Sequence, residues 1–142
     1  MLQRLKFWLG RMPFFRPTAT GERGERLAAD FLRRRGYRVV ASNWRSPRDR
    51  RDEIDLICRD GEVLVFVEVK TRAANAQVSG YYAVDNRKKA VVRRAASVYM
   101  RQLRPRPHTF RFDVVEVAVE AGGHSEVRHY ENVELFSKHF RP

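Results

Sequence analysis

The segment DEIDLICRDGEVLVFVEVK, residues 52–70, decides the fold of this chain. Two runs rich in β-branched and aromatic residues, 53–59 and 62–70, flank the dipeptide Asp60-Gly61. Aspartate followed by glycine favours a two-residue hairpin turn, because both central residues of such a turn need a positive φ. The segment therefore predicts a β-hairpin with its turn at Asp60-Gly61.

Further elements are predicted on both sides of this hairpin. Two segments have the helical spacing of apolar residues, and three have the composition of strands: 21–35 and 84–103, and 37–44, 110–119 and 125–130. The tail after residue 130 has room for one helical turn. The order of helix, three strands, helix and two strands predicts a single α/β domain, with a mixed β-sheet flanked by helices.

Length and charge narrow the classes of function. The chain has 142 residues, which suits one domain, and 29 Lys and Arg against 17 Asp and Glu give a net charge of +12. Such an excess of positive charge is typical of a nucleic-acid-binding protein. No run of apolar residues is long enough for a transmembrane helix. The single cysteine, Cys58, lies in an apolar run and suits a reducing compartment, so we expect a cytoplasmic protein.

Residues 1–20 are basic and aromatic, contain two prolines and lack a sustained period. They are interpreted as a mobile basic arm that precedes a domain of residues 21–142. An amphipathic helix that lies on DNA, a membrane or a partner is the alternative interpretation.

Acidic residues and a lysine converge on one face of the predicted hairpin. Side chains alternate along a strand, so Glu68 and Lys70 point the same way, roughly 7 Å apart. A turn at Asp60-Gly61 pairs Arg59 with Glu62, which puts Asp55 opposite Phe66 and diagonally beside Glu68. In the same register Glu53 lies opposite Glu68.

Clustered carboxylates repel one another unless a cation or protons neutralise them, and oxygen ligands suit Mg²⁺, with Mn²⁺ as a substitute. Such an ion activates water and polarises a phosphate, and Lys70 would orient or deprotonate the water. The alternative is that Asp55 and Glu68 are solvated residues whose ion-pair partner is Lys70.

Four stretches carry a family resemblance: Gly24-Glu25 in the first helix, DEIDLI at 52–57, VFVEVKTR at 65–72 and RFDVV at 111–115. Over residues 21–136 the chain resembles the YraN family of small bacterial proteins. That family is similar to archaeal Holliday junction resolvases and to the wider restriction-endonuclease-like nucleases. Asp52 stands where the family usually has glycine.

The resemblance implies a restriction-endonuclease-like fold and a metal-dependent endonuclease that acts on DNA, including branched or repair intermediates, with RNA not excluded. Asp55 and Glu68 would be the metal ligands, Lys70 the catalytic lysine and Glu25 the acid of the first helix that completes such sites. A homodimer is one arrangement that the resemblance allows.

Several basic residues are candidates for phosphate contacts: Arg45, Arg48, Arg50, Arg51 and Lys88. The arginines lie in the loop before the hairpin, for which a solvated loop is the alternative. Lys88 falls on the apolar stripe of the second helix, where it either meets DNA or extends its stem along the rim of the core.

Two other functions stay open. The first is a non-catalytic nucleic-acid-binding or adaptor protein that keeps the fold and tolerates loss of its acids. The second is a basic protein associated with ribosomes or membranes, which would have no divalent metal site.

Overall fold

A computed structural model of the chain describes residues 19–74 and 84–142, which form one five-stranded sheet and two helices. The helices are α1 (Ala19–Arg34) and α2 (Asn86–Gln102). The strands are β1 (Arg38–Arg45), β2 (Glu53–Asp60), β3 (Val63–Ala73), β4 (Phe110–Val119) and β5 (Ser125–Tyr130). The strands lie side by side in chain order, which confirms the predicted single α/β domain.

The sheet is mixed because of one connection. β1, β2 and β3 are antiparallel neighbours, as are β4 and β5, whereas β3 and β4 run parallel. Parallel neighbours need a crossover connection, and α2 lies in the connection between these two strands. β3 and β4 are therefore buried at the centre of the sheet, with antiparallel strands on either side.

Each face of the sheet is covered by one helix. α1 contributes Ala28, Ala29 and Leu32 to a core that includes Val65 and Val67 of β3. The opposite face packs against α2, and this second core contains the following buried residues: Ile57, Leu64, Phe66, Val92, Ala95, Ala96, Met100, Phe112 and Val114. β3 is buried on both faces, so its alternate side chains point into the two different cores and not into core and solvent.

The hairpin has a different register from the predicted one. Asp60 pairs with Val63, so the central residues of the turn are Gly61 and Glu62, and Gly61 has a φ of +56°. Ile57, and not Asp55, therefore lies opposite Phe66. The shift is an even number of residues, so Ile57 and Phe66 share one face and Cys58 and Val65 share the other, as the predicted alternation requires.

Several element boundaries also differ from the prediction. α1 begins at Ala19, β3 extends to Ala73, and α2 begins after Asp85, whose side chain accepts the backbone N–H of Lys88 at 2.9 Å. The tail forms a turn in which the N–H of Phe140 is bonded to the carbonyl of Ser137, in place of the expected helical turn. The proposed arm lies outside the described residues except for its last two positions.

A buried polar network links β4 to β5 on the face covered by α1. The Asp113 carboxylate is fully buried and accepts hydrogen bonds from the Arg111 guanidinium at 3.0 Å and from the backbone N–H of Asn132 at 2.9 Å. His129 Nε2 lies 2.8 Å from the same carboxylate, and its side chain is 2% exposed. His129 therefore belongs to the buried network and joins β5 to β4.

Candidate active site

Glu68 is the centre of a buried ionic cluster on the face covered by α2. Its side chain is 4% exposed, and it lies in the middle of β3, a strand that is otherwise largely apolar up to Val69. Oε1 lies 3.1 Å from the Lys70 ammonium, and Oε2 lies 3.5 Å from the Lys88 ammonium. Oε2 is buried and makes no hydrogen bond to any of the described residues. Two lysines from different elements therefore converge on one carboxylate.

Asp55 lies next to Glu68 on the neighbouring strand. The β2 and β3 ladder runs as far as Leu56 and Val67, and one further step along it brings Asp55 beside Glu68. Asp55 Oδ2 accepts the backbone N–H of Val69 at 2.8 Å. The Asp55 carboxylate thus takes a hydrogen bond from β3, which holds it at the point where the strand ladder ends.

The two carboxylates differ in their electrostatic environment. Burial, and then repulsion from Glu68, raises the pKa of Asp55 well above its ordinary value. Burial also acts to raise the pKa of Glu68, but Lys88 and Lys70 outweigh it, so the pKa of Glu68 is lowered. The lysines therefore keep Glu68 ionised. The repulsion between the two acids is expressed in the pKa of Asp55, whose charged form is disfavoured.

Lys88 is held in the cluster by its carboxylate neighbours. Burial acts to lower the pKa of Lys88, but Glu68 and Asp55 more than compensate, so its pKa is raised and the ammonium is retained. From the sequence, Lys88 was expected either to contact DNA or to extend along the rim of the core. The structure turns its ammonium to Glu68, a contact that neither interpretation included.

Glu25 approaches the cluster from α1. Its Oε2 accepts a hydrogen bond from Asn43 of β1 at 3.0 Å, and its charge contributes to the raised pKa of Asp55. The preceding residue, Gly24, lies so close to β3 that a β-carbon there would be 1.9 Å from Oγ1 of Thr71. The absence of a side chain at Gly24 therefore allows α1 to bring Glu25 towards the acids on the sheet.

The candidate phosphate-binding arginines have diverse surroundings. Arg45 pairs with Glu53 at 2.9 Å, and Arg51 pairs with Asp49 at 2.7 Å. The other two candidates, Arg48 and Arg50, are exposed. Glu53 does not lie opposite Glu68 as predicted, because each residue of β2 pairs two positions further along β3 than the predicted register has it.

Asp52, the departure from the family pattern, has a structural partner. Its carboxylate is buried and accepts two hydrogen bonds from Arg94 of α2, at 2.9 and 3.2 Å. A cavity of about 400 Å³ lies beside this pair, between the loop before β2 and α2. The side chains that line the cavity include three arginines: Arg48, Arg94 and Arg101.

A second buried ion pair lies beside Lys70 on β3 and was missed from the sequence. Glu116 of β4 is 1% exposed and accepts a hydrogen bond from the Arg72 guanidinium. In the parallel ladder Glu116 is the register partner of Lys70. The alternating charges Glu68, Lys70 and Arg72 were visible in the sequence, but the acid on the neighbouring strand was visible only as an isolated polar residue in an apolar run.

The described residues contain no group of three or more His, Cys, Asp or Glu side chains arranged to hold a metal ion. Asp55 and Glu68 are the two carboxylates that lie together, and both supply oxygen donors of the kind that hard divalent cations prefer. Lys70 and Lys88 lie within the same cluster. A bound cation would therefore take its remaining ligands from water or from a substrate.

A mixed five-stranded sheet with a helix on each face, and with two acids and a lysine together on neighbouring strands, defines a protein of the restriction-endonuclease-like fold class. The profile of the uncharacterised protein family UPF0102 matches residues 24–117. The chain belongs to this family, which is the YraN family suggested by its motifs.

Similar proteins come from diverse bacteria. A UPF0102 protein of Symbiobacterium thermophilum is 46% identical over 112 residues, which cover 79% of this chain and 92% of that protein. A UPF0102 protein of Beutenbergia cavernae is 41% identical over 115 residues, which cover 81% of this chain and 95% of that protein. One from Chlorobium limicola is 36% identical, over 80% of this chain and 86% of that protein.

In the part of the chain that is described, neither helix combines the length and the apolar character needed to cross a membrane.

Proposed function

We propose that this protein is a metal-dependent endonuclease that hydrolyses phosphodiester bonds in DNA in the cytoplasm. The observation that carries the proposal is the juxtaposition of Asp55 and Glu68, two buried acids on neighbouring strands, with two lysine ammonium groups around one of them. A cluster of this kind costs free energy to bury, so it calls for a role beyond stability.

The acids fit a magnesium ion. Glu68 Oε2 is buried without a hydrogen bond to residues 19–74 or 84–142, and the pKa of Asp55 is raised by burial and by Glu68. A cation between the two carboxylates would give Oε2 a partner and would favour the ionised form of Asp55. Mg²⁺ is commonly held by one or two carboxylates together with water and a phosphate, and Mn²⁺ accepts the same ligands. When bound, it would polarise the scissile phosphate and lower the pKa of the attacking water.

The remaining residues have roles that follow from their positions. Lys70 lies 3.1 Å from Glu68, so its ammonium would orient the attacking water or receive its proton. Glu25 approaches from α1 and would hold a water on the far side of Asp55. The exposed arginines of the loop before β2 would contact the phosphates that flank the scissile bond.

DNA is the proposed substrate because the net charge of +12 favours a long polyanion. The family resemblance to Holliday junction resolvases makes branched recombination or repair intermediates the first structures to test. RNA belongs in the same screen, because contacts to phosphates do not distinguish the two nucleic acids.

The test is a cleavage screen with Mg²⁺ and with Mn²⁺ over linear, flap, splayed and four-way DNA and an RNA hairpin. The matched pair of proteins is the wild type and Glu68→Ala, purified in parallel to exclude a contaminating nuclease. Cleavage by the wild type that depends on the metal and disappears in Glu68→Ala is expected. Equal cleavage by both proteins, or no cleavage of any substrate, would refute the proposal.

A non-catalytic nucleic-acid-binding protein is the second candidate, and one observation favours it. Glu68 is already paired with Lys70 and Lys88, so the charge of this carboxylate is neutralised without a metal ion. In this case Glu68→Ala would bind DNA as the wild type does, neither protein would cleave it, and added Mg²⁺ would leave the unfolding midpoint of the wild type unchanged.

A further inference from the structure

Lys88 is the member of the cluster that no motif of the sequence accounts for. It comes from α2, whereas the acids and Lys70 come from the β2 and β3 hairpin. Its ammonium lies 3.5 Å from Glu68 Oε2, the same oxygen that is buried without a hydrogen bond in the part of the chain that the structure describes. Lys88 therefore covers the one carboxylate oxygen of Glu68 that Lys70 leaves to a cation.

The contact between Lys88 and Glu68 is built to be displaced. At 3.5 Å it is longer than the 3.1 Å contact of Lys70, so it is the weaker of the two ion pairs that Glu68 makes. The backbone of Lys88 is fixed by the hydrogen bond from its N–H to Asp85, but four rotatable side-chain bonds separate that backbone from the ammonium. The ammonium can therefore move while the helix stays in place.

Repulsion between positive charges opposes a cation beside Lys88. The ammonium groups of Lys70 and Lys88 both lie against Glu68, the carboxylate whose second oxygen a cation would take as a ligand. A divalent cation bound to Glu68 Oε2 would lie close to the Lys88 ammonium, and like charges at such distances repel strongly in a buried site. A cation that takes Glu68 Oε2 as a ligand therefore competes with Lys88 for this oxygen and displaces the ammonium from it.

We propose that Lys88 is a built-in competitor of the divalent cation for Glu68, and that it transfers from Glu68 to a backbone phosphate when DNA binds. This inference rests on the proposed metal-dependent function. Its consequence is that the free protein binds the cation weakly and the DNA complex binds it more tightly, because the phosphate then receives the displaced ammonium. Cation and DNA would thus bind with positive coupling.

The first experiment measures Mn²⁺ binding by titration calorimetry in the absence of DNA. Lys88→Gln and Lys88→Met remove the competing charge and should bind Mn²⁺ about tenfold or more tightly than the wild type. Lys88→Arg keeps the charge and should bind Mn²⁺ no more tightly. Lys89→Gln is the matched control, since it removes the same charge from a residue about 100° around the helix, and it should stay within about twofold of the wild type.

The second experiment measures the coupling with DNA by anisotropy, with Ca²⁺ as a cation that occupies oxygen sites. The wild type should bind a labelled four-way DNA more tightly when Ca²⁺ is added. This gain should fall at least threefold in Lys88→Gln, which has no ammonium to transfer to a phosphate. The unfolding midpoint of each variant, measured without metal, shows whether the variant is folded. If Lys88→Gln is less stable than the wild type, Lys88→Met takes its place in this experiment.

The outcomes separate this inference from the function on which it rests. If Lys88→Gln and the wild type bind Mn²⁺ with equal affinity, Lys88 is no competitor and the inference fails while the metal site stands. If no variant binds a divalent cation with or without DNA, the metal-dependent function fails and the inference fails with it. Tighter binding in Lys89→Gln as well as in Lys88→Gln would refute a specific role of Lys88, because a general loss of positive charge would then explain the effect.

Discussion

Replacing Gly24 by alanine tests whether the close approach of α1 to β3 is required. The added β-carbon would lie 1.9 Å from Oγ1, 3.0 Å from Cβ and 3.1 Å from Cγ2 of Thr71. Ordinary van der Waals contact begins at 3.4 Å, so the first overlap is 1.5 Å. Rotation of the threonine relieves that overlap, but not the one with its Cβ atom, so the helix or the strand must also move.

Overpacking of this size in a well-packed core costs about 1–3 kcal/mol. We therefore expect the free energy of unfolding of Gly24→Ala to fall by this amount and its unfolding midpoint to fall by roughly 3–10 °C. The assay is thermal and urea unfolding followed by circular dichroism. Because Glu25 follows directly, the displacement of the helix should also lower metal-dependent cleavage.

A double-mutant cycle with Thr71→Ala identifies the contact. Thr71 Oγ1 is buried without a hydrogen bond to the described residues, so Thr71→Ala alone should lower the free energy of unfolding only slightly. It removes two of the three close contacts with the new β-carbon, and Gly24→Ala should then cost at least about 1 kcal/mol less than in the wild type. A Gly24→Ala protein as stable as the wild type would refute the close approach, and strict additivity would show that Thr71 is not its partner.

Four further results are expected. Asp55→Ala and Glu68→Ala should abolish cleavage and leave DNA binding equal or tighter, since each removes a metal ligand and a negative charge that faces phosphate. A cleavage assay checks the first effect, and a filter-binding titration checks the second. Lys70→Arg and Lys70→Met should each lose about 100-fold or more of single-turnover cleavage, whereas near-normal cleavage by the arginine variant would reduce Lys70 to a counter-charge. Binding to DNA should weaken steeply with salt, with a log–log slope of several units, and a flat response would remove the basic surface from the interaction. Burial raises the pKa of the Cys58 thiol from 9.0 to about 12, so its contribution to the free energy of unfolding is complete below pH 9 and is lost as the pH rises towards 12. The free energy of unfolding of Cys58→Ala should therefore decline less steeply over this pH range than that of the wild type. Identical pH profiles of the two proteins would contradict this expectation.

The sheet was predictable from the sequence because its strands carry their own local signals. The predicted bounds of β4 and β5 agree with the structure, and the hairpin forms where aspartate and glycine follow one another. Its register was mispredicted for a reason that lies outside the hairpin. The Asp60 carboxylate is bound by Arg111 of β4 at 3.1 Å, and Asp60 continues the strand instead of entering the turn. A contact across 51 residues cannot be deduced from a dipeptide.

The candidate site was predictable only where its residues share one hairpin. The alternation of a strand puts Glu68 and Lys70 on one face, and antiparallel pairing brings Asp55 to them whichever of the two registers holds. The contribution of α2 depends on how that helix packs over the sheet, which local periodicity does not determine. Lys88 was therefore recognised as unusual on its helix, but its partner could not be identified.

The network around Asp113 determines how the edge of the sheet behaves in acid. Burial raises the pKa of Asp113, but His129 and Arg111 more than offset this effect and lower it below the ordinary 3.8. The contribution of the ionised Asp113 to the free energy of unfolding is therefore complete above pH 3.8, and it is lost as the pH falls through the lowered pKa. Protonation of Asp113 weakens its contacts with His129 and Asn132, which hold β5 against β4. Dissociation of β5 would then expose the backbone hydrogen-bond donors and acceptors of β4. A sheet edge of that kind is a template for pairing between chains, so in strong acid the protein should aggregate through β4 before its two cores come apart.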